Sequence, residues 1–144
     1  MDLLQAIHRF YYDMTLHELD MMSKNTHFPD ITYNSLLYLD LIAYKENCTA
    51  SYLADVLHIS KSAVTVKVHE LIKQGLVEKV QSPDDRRVYF LKMRPESAEE
   101  YRKYDRKTLY AVEQMKTHHS EEELEQFCRL METFSRYYRE EHTQ

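Results

Sequence analysis

The stretch DDRRVYFLKMR, from Asp84 to Arg94, sets two carboxylates beside two guanidinium groups and follows them with an apolar run that carries further cations. Upstream, KSAVTVKVHELIK places Lys61, Ser62, Thr65, Val66 and His69 largely on one side of a helical wheel. Val64, Val68, Leu71 and Ile72 take the opposite side at core spacing. Neither stretch pairs a nucleophile with a base at a defensible spacing, so the residues do not read as an enzyme's. Binding a polyanion fits them better. Cations neutralise phosphates, while hydroxyl, imidazole and methyl groups meet base edges. A helix read against a duplex, then a hairpin reaching the next groove, needs these residues in this order.

Charge distribution points the same way. The net charge of −5 alone disfavours a nucleic-acid partner. Yet residues 52–95 hold eight Lys/Arg against five Asp/Glu, a balance of +3, with His58 and His69 besides. The flanks, 1–51 and 96–144, each stand at −4. A basic middle between acidic ends is expected where one segment faces phosphates.

The 144 residues suit one domain of ordinary size with a real core. One glycine and three prolines leave room for few tight turns, which predicts a mainly α fold without a Gly-rich nucleotide loop. Two cysteines, Cys48 and Cys128, make neither a disulfide framework nor a CxxC pair. The start MDLLQAIHRFYYD lacks the pattern of a signal peptide, and no apolar run nears the roughly 20 residues of a membrane span. A cytoplasmic protein with no membrane partner is therefore expected.

The elements that must position these residues follow from periodicity and caps. Leu3, Ile7, Phe10, Met14, His17 and Met21 form a heptad-like seam, widened by Leu4, Tyr11, Leu19 and Met22. Such a helix can bury two sides, one in its own subunit and one in a partner. It is expected to end near SKNTHFPD, at Pro29. Thr32 can cap a helix through Tyr44, Thr49 a short one from Ala50 to Leu57, and Ser60 the next. Gly75 then falls where a helix exit must turn left-handed. LVEKV and VYFLKM read as strands, with Pro83 and Asp84-Asp85 as turn residues. From Pro95 one long helix is expected, with Ala98, Tyr101, Tyr104, Leu109, Val112 and Met115 on its apolar face. After KTHHS, Ser120 and Glu123 form a capping box for a last helix seamed by Leu124, Phe127, Met131, Phe134 and Tyr138. The predicted fold class is mainly α with a small β-hairpin wing. Residues 31–95 form a winged helix-turn-helix, and 1–30 with 96–144 form a helical dimerisation region.

These residues resemble the MarR family of bacterial transcriptional regulators. YLADVLHISKSAVTVKVHELIKQGLVEKV follows that family's Leu-Ala helix start, Ser-containing turn, Val-Thr recognition helix and Gly-Leu-Val exit. DDRRVYFLKMR follows its wing signature, with Asp85 and Arg87 on the Asp-x-Arg. Met93-Arg94 replaces the signature's closing Leu-Thr, so the next helix lacks the usual threonine cap. The resemblance implies a homodimer that binds a palindromic operator in double-stranded DNA as a repressor and releases it on meeting an effector. A recognition helix at about 60–74 would enter the major groove and a wing at 77–93 would reach the minor groove. By position, Arg87 would enter the minor groove, where narrowness concentrates negative potential, and Asp85 would orient it. Arg86 would contact phosphate. Two positions often arginine in the family are Val66 and Glu70 here. Val66 offers methyls to thymine, Ser62, Thr65 and His69 are polar readers, and Lys61 and Lys67 are phosphate contacts. Glu70 either pairs with Lys67 or Lys73 or lies off the groove.

Other residue sets carry less. Zinc sensors occur in the family, yet none of the eight histidines stand four apart, and spacing cannot gather His8, His17, His27 or a Glu into one site. No metal or cofactor is assigned. Cys48 and Cys128 suit small buried positions better than oxidant sensing. Tyr11, Tyr12, Tyr38 and Tyr44 can line a pocket for a small aromatic effector, since the resemblance implies a pocket between dimer helices and recognition module. A second class stays open: a winged-helix protein-interaction module with no specific operator. The acidic net charge and the missing recognition arginines keep it open, and salt-dependent binding to duplex DNA separates the two.

Overall fold

The computed structural model describes residues 1–24 and 31–140. The expected break around Pro29, and His27 with it, lie outside the described residues. Along the chain the elements are α1 (Leu3–Lys24), α2 (Tyr33–Tyr44), α3 (Ala50–Leu57), α4 (Lys61–Lys73), β1 (Val77–Gln81), β2 (Tyr89–Met93), α5 (Pro95–Tyr104), α6 (Arg106–His118) and α7 (Glu121–Glu140). They form two compact units, Met1–Tyr104 and Asp105–Gln144. No described helix is long and apolar enough to cross a membrane.

In the first unit, each helix of the 31–73 segment starts on a hydroxyl. Thr32 accepts from the Ser35 amide at 3.2 Å, Thr49 from Tyr52 at 3.1 Å, and Ser60 from Ala63 at 3.2 Å. Each such cap satisfies a backbone donor that the first helical turn leaves unpaired. The exit of α4 is equally specified. Gly75 sits at φ +75°, its amide donates to Ile72 O at 2.9 Å, and the Leu76 amide returns to Leu71 O at 3.0 Å. This paired closure needs a left-handed residue, which glycine adopts without a Cβ penalty.

Strand β1 pairs antiparallel with β2 in a register that sets Val77 opposite Met93 and Gln81 opposite Tyr89. The hairpin turns Val77 and Leu91 inward, onto Leu39, Leu53, Val64, Val68 and Leu71. Cys48 and Tyr38 complete this sealed core. The hairpin root is tied by backbone bonds, Leu91 N–H to Cys48 O at 2.7 Å and Arg94 N–H to Leu76 O at 3.0 Å. Ser97 at the start of α5 donates to Gly75 O at 3.2 Å, so helix exit and helix start are joined around the wing's base.

The expected single helix from Pro95 is two. Asp105, at φ −77° and ψ −2°, interrupts it and makes no capping side-chain bond. Its ψ lies well off the regular helical value although the residue stays right-handed, and aspartate has low helix propensity. The apolar face is interrupted too. Tyr101 is buried and Tyr104 half-buried, whereas Leu109 and Val112 are exposed.

In the second unit, α6 and α7 form a helical pair with Met115 and Leu124 half-buried. The capping box is present: Ser120 N–H donates to Glu123 Oε2 at 2.8 Å, and Glu123 N–H to Ser120 Oγ at 3.3 Å. Those bonds hold the Glu123 carboxyl below its usual range. Helices α1 and α7 bury no residue, and Phe10, Leu19, Phe127, Leu130 and Phe134 stay exposed on them.

Candidate nucleic-acid interface

Burial of Val64, Val68 and Leu71 fixes which way α4 faces. Lys61, Ser62, Thr65, Val66 and His69 are consequently exposed, and Val66 presents its methyls at 70% exposure. The Thr65 hydroxyl donates to Lys61 O at 2.8 Å, so its proton is spent within the helix and its oxygen and methyl remain for a partner. Lys67, expected to contact phosphate, is largely covered. Its side chain is only 13% exposed, and its ammonium meets both Glu70 carboxylate oxygens at 3.2 Å. Glu70 thus takes one of the two expected courses, and Lys67 would meet a phosphate with an ammonium already paired to a carboxylate. The turn before α4 holds His58 left-handed at φ 53° and ψ 42°. That position costs a non-glycine residue free energy.

At the hairpin tip, Asp85 grips Arg87 in two ways. Arg87 Nε donates to Asp85 Oδ1 at 3.1 Å and Nη2 to Oδ2 at 3.0 Å, while the Arg87 amide donates to Oδ1 at 2.9 Å. The guanidinium, paired along one edge, stays 90% exposed. These bonds, side chain first, hold the Asp85 carboxyl below its usual range and raise Arg87 further. Arg86 is exposed beside it, and the Arg86 carbonyl accepts from Gln81 Nε2 at 2.8 Å. Ser82 is buried and its Oγ accepts from the Asp84 and Asp85 amides at 3.3 and 3.4 Å. Sequence reasoning missed Gln81 and Ser82. The Ser-Pro-Asp order was the available signal, since a serine hydroxyl before Pro-Asp is turn chemistry.

The four tyrosines expected to line an effector pocket stand in different surroundings within one chain. A cavity of about 60 Å³ is lined by Met22, Ile31, Thr32, Tyr33, Leu36 and Tyr104, and by none of Tyr11, Tyr12, Tyr38 and Tyr44. Tyr38 is sealed in the core at 2% exposure, where its ring closes the packing of α2, and the other three are exposed. Tyr44 instead sets its ring edge-on to Tyr101, 6.5 Å between centroids. The Tyr101 hydroxyl donates to Asp40 and is raised far above its usual range by burial and then by that carboxylate. Among the described residues no three His, Cys, Asp or Glu side chains gather as a metal site. His17 keeps a buried Nδ1 with no hydrogen-bond partner among them. Cys48 is sealed, and burial pushes its thiol up to about 11 against the pull of Lys45, whereas Cys128 is exposed rather than the small core residue expected.

A family model described as the MarR family matches residues 31–89. No curated protein matches the chain. Solved structures do. FabT from Streptococcus pneumoniae, in complex with DNA, is 23% identical with a TM-score of 0.60, covering 95% of this chain and 98% of that one. The adhesin competence repressor AdcR of Streptococcus pyogenes is 22% identical with a TM-score of 0.54, covering 96% and 98%. Apo MarR from E. coli is 20% identical with a TM-score of 0.52, covering 93% and 97%. At these identities the likeness establishes the fold, a winged helix-turn-helix flanked by helices.

Proposed function

The chain carries a MarR-family domain over residues 31–89, and from that premise we propose that it is a homodimeric, DNA-binding transcriptional regulator. The observation that carries the proposal is the hairpin tip. A guanidinium held by Asp85 on one edge and bare to solvent on the other is a preformed probe for a narrow, electronegative groove. Helix α4 presents Lys61, Ser62, Thr65, Val66 and His69 as the major-groove surface. With no arginine at Val66 or Glu70, the commonest partners of guanine are missing, so the preferred half-sites are A·T-rich. Two copies related by a two-fold axis read a palindrome with half-sites about one helical turn apart. Helices α1 and α7 supply the contact between copies, since each leaves a long apolar stripe uncovered within one chain. The regulator acts as a repressor, and a small effector releases it.

Titration of a duplex carrying an A·T-rich inverted repeat, repeated across salt concentrations, tests the reading. Affinity falling steeply and linearly on logarithmic axes is expected, because each neutralised phosphate releases counterions. The covered Lys67 and the bare Val66 favour a second reading, a protein-interaction module. Salt-independent or absent duplex binding would select it.

A further inference from the structure

We infer that Gln81 is a positioning residue of the wing, one that strengthens DNA binding by holding the peptide between Arg86 and Arg87 rather than by touching DNA. The inference rests on the DNA-binding reading above. Gln81 ends β1 opposite Tyr89, and its amide Nε2 crosses the loop to the Arg86 carbonyl at 2.8 Å, with the Tyr89 hydroxyl 3.5 Å away. The same peptide unit contributes the Arg87 N–H, which donates to Asp85 Oδ1 at 2.9 Å. One peptide plane is therefore gripped at both ends, its carbonyl by Gln81 and its N–H by Asp85. The torsions on either side of that plane, ψ of Arg86 and φ of Arg87, set the direction of one arginine relative to the other, and the two bonds fix both. The rest of the loop is closed by Ser82 N–H to Val88 O and Val88 N–H to Asp85 O, each at 2.9 Å. Those bonds leave the Arg86 carbonyl to Gln81 among the described residues. Without the amide, the arginines would have to be ordered when DNA binds, and that ordering costs affinity.

Gln81→Met keeps side-chain length and removes the donor, and Gln81→Asn keeps the amide but withdraws it from the carbonyl. Gln81 is exposed, so both variants should melt with the unmodified protein. On the inverted-repeat duplex, each should bind about fivefold more weakly, the cost of ordering roughly one long side chain on binding. The salt slope should stay unchanged because no cation is lost. In an Arg86→Ala/Arg87→Ala background, Gln81→Met should cost nothing further, because the residue acts through those side chains. Gln81→Met binding as tightly as the unmodified protein would overturn the inference, and so would an undiminished loss in the double-alanine background. If Arg87→Ala weakens binding while Gln81→Met is silent, this inference alone falls. Arg87→Ala binding normally would remove the wing assignment and this inference together.

Discussion

Gly75→Ala isolates a backbone effect from packing. At φ +75°, an added Cβ meets nothing within 4 Å, so no clash contributes. What remains is the left-handed penalty of roughly 1–2 kcal/mol for a residue with a Cβ, partly offset by about 0.4–1 kcal/mol from a stiffer unfolded chain. A net loss of about 1 kcal/mol follows, which lowers Tm by about 3–5 °C for a chain of this size. Asparagine tolerates the left-handed region better, so Gly75→Asn should fall between glycine and alanine. Thermal and urea unfolding followed by circular dichroism read both variants, with the urea slope unchanged. The Leu76 amide and carbonyl, bonded to Leu71 and Arg94, connect this turn to the hairpin root, so DNA affinity should drop less than stability. An alanine variant as stable as the parent would refute the conformational account. A loss above about 3 kcal/mol would point to a steric cost that the open space around Gly75 denies.

Other outcomes follow from the surfaces already described. Val66→Arg should move selected half-sites toward guanine and raise non-specific affinity; selection from random duplexes giving G·C-rich sites for the unmodified protein would count against the assignment. Phe134→Asp, on the bare stripe of α7, should leave helicity intact and shift the light-scattering mass toward monomer, and an unaltered mass would clear α7 of that role. A thiol reagent at pH 8 should label sealed Cys48 hardly at all in the folded protein and fully once urea unfolds it; equal rates in the two states would contradict the burial. Because Arg87 lowers the Asp85 carboxyl, their pairing is complete above the ordinary carboxylate range and is lost as pH falls through the lowered value. The Arg87 amide resonance should therefore titrate with a midpoint below that of a free aspartate, and a midpoint at or above it would remove the pair.

Local chemistry was the legible part. Thr32, Thr49, Ser60 and Ser120 announce their helices because a capping hydroxyl acts within three residues of itself. Gly75 announces α4's end for the same reason, and the Asp85–Arg87 pair spans two residues. Contacts across long sequence distances were not legible. Nothing near Leu91 shows that its amide will meet Cys48 O, and nothing near Gln81 shows which carbonyl its amide reaches. Asp105 reads as one more polar residue on a helix surface, yet the helix is interrupted there. Residue type alone offers Glu70 either Lys67 or Lys73 as a partner, and the structure pairs it with Lys67 one turn back. The four tyrosines shared only composition, which carries no information about distance.

Tyr101 has a bearing on how such proteins can be recombined. Its ring packs against the core built by α2, α3, α4 and the hairpin, and its hydroxyl fastens to Asp40 on α2, although it lies well past the wing. The family-model match stops at residue 89, and a junction placed there, or at Pro95, would sever the recognition module from one of its own walls. A chimera that grafts this module onto another regulator's flanking helices should be cut between Tyr104 and Asp105, where the helix already breaks. Ten residues of α5 must travel with the graft as part of what reads, not as part of what joins.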